Sequence, residues 1–123
     1  MGRILRTGVV GCGAVGHFHA KAYREVPFSE LVGVYDKNFD AAKTFAAQYG
    51  VRAFHSIEQM KAESGVDVLS ICTPHPAHEE AAVTAANLGV HLLIEKPLAD
   101  SIQACDHILE AARAHNVLVS TVC

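Results

Sequence analysis

Three sets of residues in this sequence have the types and spacing to do chemistry. The first is Gly11-Cys12-Gly13-Ala14-Val15-Gly16, a G-x-G-x-x-G run. In such a run the first glycine permits a tight turn and the second lets backbone approach a pyrophosphate with no Cβ in the way. The third lets a helix pack closely on a sheet. A helix opening there offers free N–H groups and a partial positive charge to phosphate. The second is Asp36, which lies 20 residues past Gly16 and closes the apolar run Val32-Gly33-Val34-Tyr35. A carboxylate in that position can accept hydrogen bonds from the adenosine ribose hydroxyls; the plainer reading is a solvated turn aspartate. An acid there repels a 2′-phosphate and favours NAD, while the neighbouring Lys37 leaves NADP open. The third set is Cys72-Thr73-Pro74-His75-Pro76-Ala77-His78 together with Glu95-Lys96-Pro97, each following an apolar run.

These residues need elements to hold them. Short β-branched runs alternate with longer alanine-rich stretches, and the predicted strands are Thr7–Val10, Leu31–Tyr35, Ala53–Phe54, Val66–Ile71, His91–Ile94 and Val117–Val122. Helices are predicted over Ala14–Glu25, Asp40–Tyr49, Ile57–Glu63, Ala77–Leu88 and Ile102–Ala114. Ser56 and Ser101 stand where N-caps belong, and Gln59 would complete a capping box. Gly50 and Gly89 follow helical stretches as left-handed C-cap residues do. Mostly apolar strands such as Val66–Ile71 suit a parallel sheet covered on both faces. The fold class that follows is α/β: a doubly wound, mostly parallel six-stranded sheet of order 3-2-1-4-5-6, with helices on both faces. The glycine run then follows a strand and opens a helix, and the later motifs fall at strand C-terminal ends, where such sheets bind ligands.

In order and spacing these motifs resemble the N-terminal domain of the Gfo/Idh/MocA family, the glucose–fructose oxidoreductase and inositol dehydrogenase group. The resemblance is carried by Gly11-Cys12-Gly13-Ala14-Val15-Gly16 with His19 and Ala20, by Asp36, by Cys72-Thr73-Pro74 with His78, and by Glu95-Lys96-Pro97. It spans almost the whole chain and implies a nicotinamide dinucleotide as cofactor. Thr73 and Pro74, with Cys72, His75 and His78 in the same loop, would line its adenosine and pyrophosphate side. Glu95, Lys96 and Pro97 would reach its nicotinamide end, with a Lys96–Pro97 bond able to be cis. Lys96 is the implied catalytic residue, giving or taking a proton as hydride moves; that requires a lowered lysine pKa. The implied substrate is a sugar, cyclitol or related polyol. It would be contacted by a second domain that these 123 residues do not contain, so residues 1–123 are expected to bind cofactor without turnover. Apolar surface left uncovered by that domain would favour a homo-oligomer.

Composition bounds the alternatives. With 10 Lys+Arg against 13 Asp+Glu, no basic surplus points to nucleic acid or an anionic membrane. No apolar run approaches the roughly 18 residues of a membrane span. Glycines interrupt the apolar stretch after Arg3 and Arg6, unlike a signal peptide. Four dispersed cysteines without a C-x-x-C pair fit reduced thiols and a cytoplasmic location. Cys12, at a helix N-terminus, is a candidate reactive thiol or simply a small residue that fits. The spacing Cys72-x2-His75-x2-His78 could hold zinc, but Pro74 and Pro76 stiffen the loop and no second ligand cluster exists, so no metal is expected. His19 reads as a packed helix residue, and His55, His91, His107 and His115 as surface or strand-end residues. Two other classes remain: a non-enzymatic NAD(H)-sensing module, which leaves Glu95-Lys96-Pro97 without a purpose, and a methyltransferase-like domain using the same glycine turn.

Overall fold

Backbone alternation decides how this sheet is buried. Val9 and Val10 are neighbours in one strand and both fully buried, so they point to opposite faces and both faces must be covered. The computed structural model describes residues 3–74, 77–95 and 101–122. Its strands are β1 (Leu5–Val10), β2 (Ser29–Tyr35), β3 (Arg52–Phe54), β4 (Val68–Ile71), β5 (His91–Glu95) and β6 (Val119–Val122). Its helices are α1 (Ala14–Glu25), α2 (Phe39–Tyr49), α3 (Ile57–Ser64), α4 (His78–Asn87) and α5 (Ile102–Ala114). All strand pairs are parallel and the order is β3-β2-β1-β4-β5-β6, the order read from the sequence. Val9, Ala20, Leu31, Val34, Ala42, Phe45 and Ala46 form the core beneath α1 and α2. Val10, Leu69, Ile71, Ile94 and the buried faces of α3, α4 and α5 form the larger core on the other side.

The helix ends follow their sequence signals. Ser56 Oγ accepts from Gln59 N and Ser101 Oγ accepts from Ala104 N, so both serines are the N-caps their positions indicate. Gln59 Oε1 accepts from His55 N, one residue before the cap. Gly50 (φ 66°) and Gly89 (φ 77°) take the left-handed conformation. Element edges depart from expectation for identifiable reasons. β4 begins at Val68, because Asp67 N donates to Arg6 O and its carboxylate accepts from Arg6 N. β6 begins at Val119, because Val117 N closes the end of α5 on Ala112 O and Leu118 N donates to His91 Nδ1. α2 begins at Phe39 with Asn38 as its cap, a signal the sequence reading passed over.

Candidate functional site

The glycine run leaves β1 as a tight turn. Gly11 sits at φ +100°, and a Cβ there would fall 2.7 Å from the Cys72 backbone carbon. A Cβ on Gly16 would meet Gly11 O at 2.2 Å, so α1 can rest on the turn only without a side chain there. Gly13 is different: it has φ −93° and no atom within 4 Å of where its Cβ would be. Neither its conformation nor its protein neighbours require glycine. It is the N-cap of α1, which has no side-chain cap and no acidic residue in its first turn. The first N–H groups of α1 therefore lack the side-chain acceptor that capping would supply.

A cavity of about 1080 Å³ lies over this turn, at the C-terminal ends of the strands. That is just above the roughly 300–1,000 Å³ of small-ligand sites. Gly11, Cys12, Gly13, Ala14 and Val15 line it, with Asp36 and Lys37 on the β2 side and Cys72, Thr73, Pro74, His78 and Glu95 on the β4 and β5 side. Gly16 is buried below the turn and serves packing. His75, Lys96 and Pro97 lie outside the described residues, and with them the Lys96–Pro97 bond.

Asp36 is held on both oxygens: Oδ2 accepts from Cys12 N and Oδ1 from Asn38 N, each at 2.8 Å. Two fixed donors set its orientation toward the cavity and leave lone pairs for further donors. Thr73 Oγ1 is, among the described residues, a buried side-chain polar atom with no hydrogen-bond partner. An orphan of this kind at a cavity wall is unusual in folded proteins. His78 is buried and its Nε2 donates to Thr73 O at 2.7 Å, anchoring the loop after β4 from below. Glu95 Oε2 lies 2.5 Å from His19 Nε2. These features fit a dinucleotide, with an uncapped helix end for phosphate, a carboxylate on the β2 side for a diol, and an unpaired hydroxyl between them and Glu95.

Two sequence expectations need correction or extension. Burial, then the charge of Asp36, pushes the Cys12 thiol up to about 12. Desolvation outweighs the helix end, so the thiol is not activated. Cys72 is likewise pushed up to about 12, by burial first, then by the nearby Glu95 carboxylate and the neighbouring Cys12 thiol. His19 is packed, as read, but also bonded to Ser70 and Glu95. Its two partners are 51 and 76 residues away, a link no local motif carries. Sequence reasoning also missed Asn38, Ser56, Ile57, Glu58, Glu80 and Thr84, cavity residues supplied by α2, α3 and α4. Among the described residues no three His, Cys, Asp or Glu side chains gather as a metal would need, and no helix is long and apolar enough to cross a membrane.

The family described as "Oxidoreductase family, NAD-binding Rossmann fold" (Gfo/Idh/MocA) matches residues 5–122. The chain is 39% identical over 116 residues to UDP-N-acetylglucosamine 3-dehydrogenase of Acidithiobacillus ferrooxidans, covering 94% of this chain and 36% of that protein. It is 32% identical over 114 residues to inositol 2-dehydrogenase/D-chiro-inositol 3-dehydrogenase of Halalkalibacterium halodurans, covering 90% of this chain and 33% of that one. Among solved structures, the WlbA dehydrogenase of Bordetella pertussis, in complex with NADH and UDP-GlcNAcA, superposes with a TM-score of 0.90. That pair is 31% identical, and the match covers 98% of this chain and 35% of WlbA. The chain thus spans about a third of the length of the curated relatives it matches. With its glycine turn, acid and sheet order in place, the chain belongs to the Gfo/Idh/MocA oxidoreductase family, in the NAD-binding Rossmann fold that defines this part of it.

Proposed function

We propose that the cavity holds NAD in preference to NADP, and that the chain is the cofactor-binding part of a dehydrogenase acting on a carbinol of a sugar or cyclitol. The observation that carries the reading is Gly13. Nothing in the protein fills the space beside Gly13, and its bare backbone at the uncapped end of α1 leaves room for a phosphate to press against it. Asp36 would accept the adenosine ribose hydroxyls and repel a 2′-phosphate, with Lys37 at the same rim moderating that repulsion. A turn of the Thr73 side chain toward the cavity it lines would give its buried, unpaired hydroxyl a ligand partner.

In this reading the nicotinamide, when bound, takes or gives the hydride of the substrate carbinol. Asp36, just after β2, and Glu95, at the end of β5, lie on either side of the turn after β1, so a dinucleotide anchored at Asp36 would have its other half directed toward β4 and β5. Glu95 would orient that half as a hydrogen-bond acceptor. Lys96, next in sequence, would hold or release the hydroxyl proton and must be neutral to accept it. The relatives' activities support a sugar or cyclitol as substrate. Contacts to it would come largely from a further domain, so this chain alone would bind cofactor without turning substrate over.

Titration of the chain with NADH and NADPH tests this, using calorimetry or cofactor fluorescence. NADH should bind more tightly than NADPH, and Asp36→Ala should weaken NADH about tenfold, as expected for lost hydrogen bonds to a charged acceptor. Equal binding of the two cofactors by both proteins would overturn the role of Asp36. Turnover of a cyclitol and aldose panel by the 123 residues would overturn the expected inactivity.

A further inference from the structure

Behind Glu95 runs a chain of hydrogen bonds through the core. His19 and Tyr23 are one turn apart on the same face of α1, and both reach Ser70 on β4. Tyr23 OH lies 2.6 Å from Ser70 Oγ, and Ser70 Oγ lies 2.8 Å from His19 Nδ1. His19 Nε2 then lies 2.5 Å from Glu95 Oε2. Ser70 is fully buried and His19 is 5% exposed, whereas Glu95 keeps 25% of its side chain exposed and lines the cavity. The chain therefore ends in the site.

Chemistry gives it a direction. A carboxylate only accepts, so His19 Nε2 carries a hydrogen. In the neutral imidazole Nδ1 must then accept, and Ser70 donates to it. Ser70 has a single hydrogen, so it accepts from Tyr23. Burial pushes the Tyr23 phenol up to about 12, against a smaller lowering by Ser70, which keeps it a donor. With His19 neutral, every hydrogen runs one way, from Tyr23 through Ser70 and His19 to Glu95. Buried polar side chains are costly unless hydrogen-bonded, and here His19 and Ser70, with the partly buried Tyr23, satisfy one another in one connected network. The outcome is one orientation of the Glu95 carboxylate.

We propose that His19 is a positioning residue, which holds the Glu95 carboxylate against the nicotinamide half of the cofactor while Ser70 and Tyr23 fix its tautomer. This rests on the cofactor reading above. The nicotinamide half offers two kinds of donor, ribose hydroxyls and a carboxamide N–H, and a carboxylate held in place serves either.

Asparagine and glutamine separate the two ends of the imidazole. His19→Asn keeps a polar group near Nδ1, within reach of Ser70, but is too short for Glu95. His19→Gln extends its amide to where Nε2 lay and can still donate to Glu95. NADH and ADP, which lacks the nicotinamide and its ribose, are titrated against the full chain and both variants, with a thermal melt for each. His19→Asn should weaken NADH about tenfold and leave ADP within about twofold, while His19→Gln restores NADH to within about threefold, the scale of one hydrogen bond to a charged group. Asn and Gln behaving alike, or equal weakening of both ligands in a folded variant, would overturn the proposal. Should a variant not fold, nitrogen NMR of the unaltered chain decides. NADH should shift the His19 ring resonances and ADP should not; no difference would overturn it. Failure of the unaltered chain to bind either ligand would remove the cofactor reading and this inference together.

Discussion

Gly13 and Gly16 lie three residues apart and are glycines for opposite reasons. Gly16→Ala would drive a methyl into Gly11 O and should lower stability by about 3 kcal/mol, in the range of severe overpacking. Gly13→Ala meets nothing but replaces an N-cap glycine, at about 1 kcal/mol, so its melting temperature should fall by only a few degrees while NADH affinity falls at least about tenfold. Thermal melts and NADH titrations of the two variants check both halves. Alkaline pH acts on other residues. Cys12 and Cys72 rise from 9.0 to about 12 and Tyr23 from 10.0 to about 12. The folded chain holds these protons more tightly than the unfolded one, so stability is intact below about pH 9 and is lost as pH climbs toward 12. Urea melts between pH 7 and 11 should show that decline, with a shallower slope in Cys72→Ala. The glycine turn and Asp36 could be read from sequence because each answers to neighbours within a few residues. The orphaned Thr73 hydroxyl and the His19–Glu95 bond could not, since both depend on packing between distant segments.

Helix caps are the most legible elements. Ser56, Ser101, Gly50 and Gly89 each stand where a terminal N–H or carbonyl needs a local partner or a left-handed residue. Ser101→Ala removes the acceptor for Ala104 N and should cost about 1 kcal/mol with NADH affinity unchanged, because Ser101 lies away from the cavity. A chemical-denaturation midpoint measured beside an NADH titration separates the two effects. Strand edges were less legible. Where β4 and β6 begin is decided by Asp67 bonding across to Arg6 and by Val117 closing α5, tertiary contacts that leave no periodic trace. The cavity's walls from α2, α3 and α4 were missed for the same reason: Asn38, Ser56 and Thr84 are ordinary cap and helix residues until the sheet gathers them.

At the scale of the molecule, strand order brings the turn after β1 between Asp36 and Glu95, so residues 59 positions apart share one cavity. The alternation of strands and helices sufficed to predict this, because parallel strands joined by right-handed crossovers leave few arrangements. A ligand that binds only the folded chain raises its stability by about 2.7 kcal/mol at 100 times its Kd, so NADH should raise the melting temperature in proportion. The central claim is that the dinucleotide lies along the strand ends from Asp36 across Gly13 to Glu95. Amide chemical-shift mapping of the chain with NADH tests it most directly. The account predicts the largest shifts at Gly13 to Gly16, Asp36, Thr73 and Glu95, with α5 unchanged. Shifts confined to other surfaces, or none at saturating NADH, would contradict it.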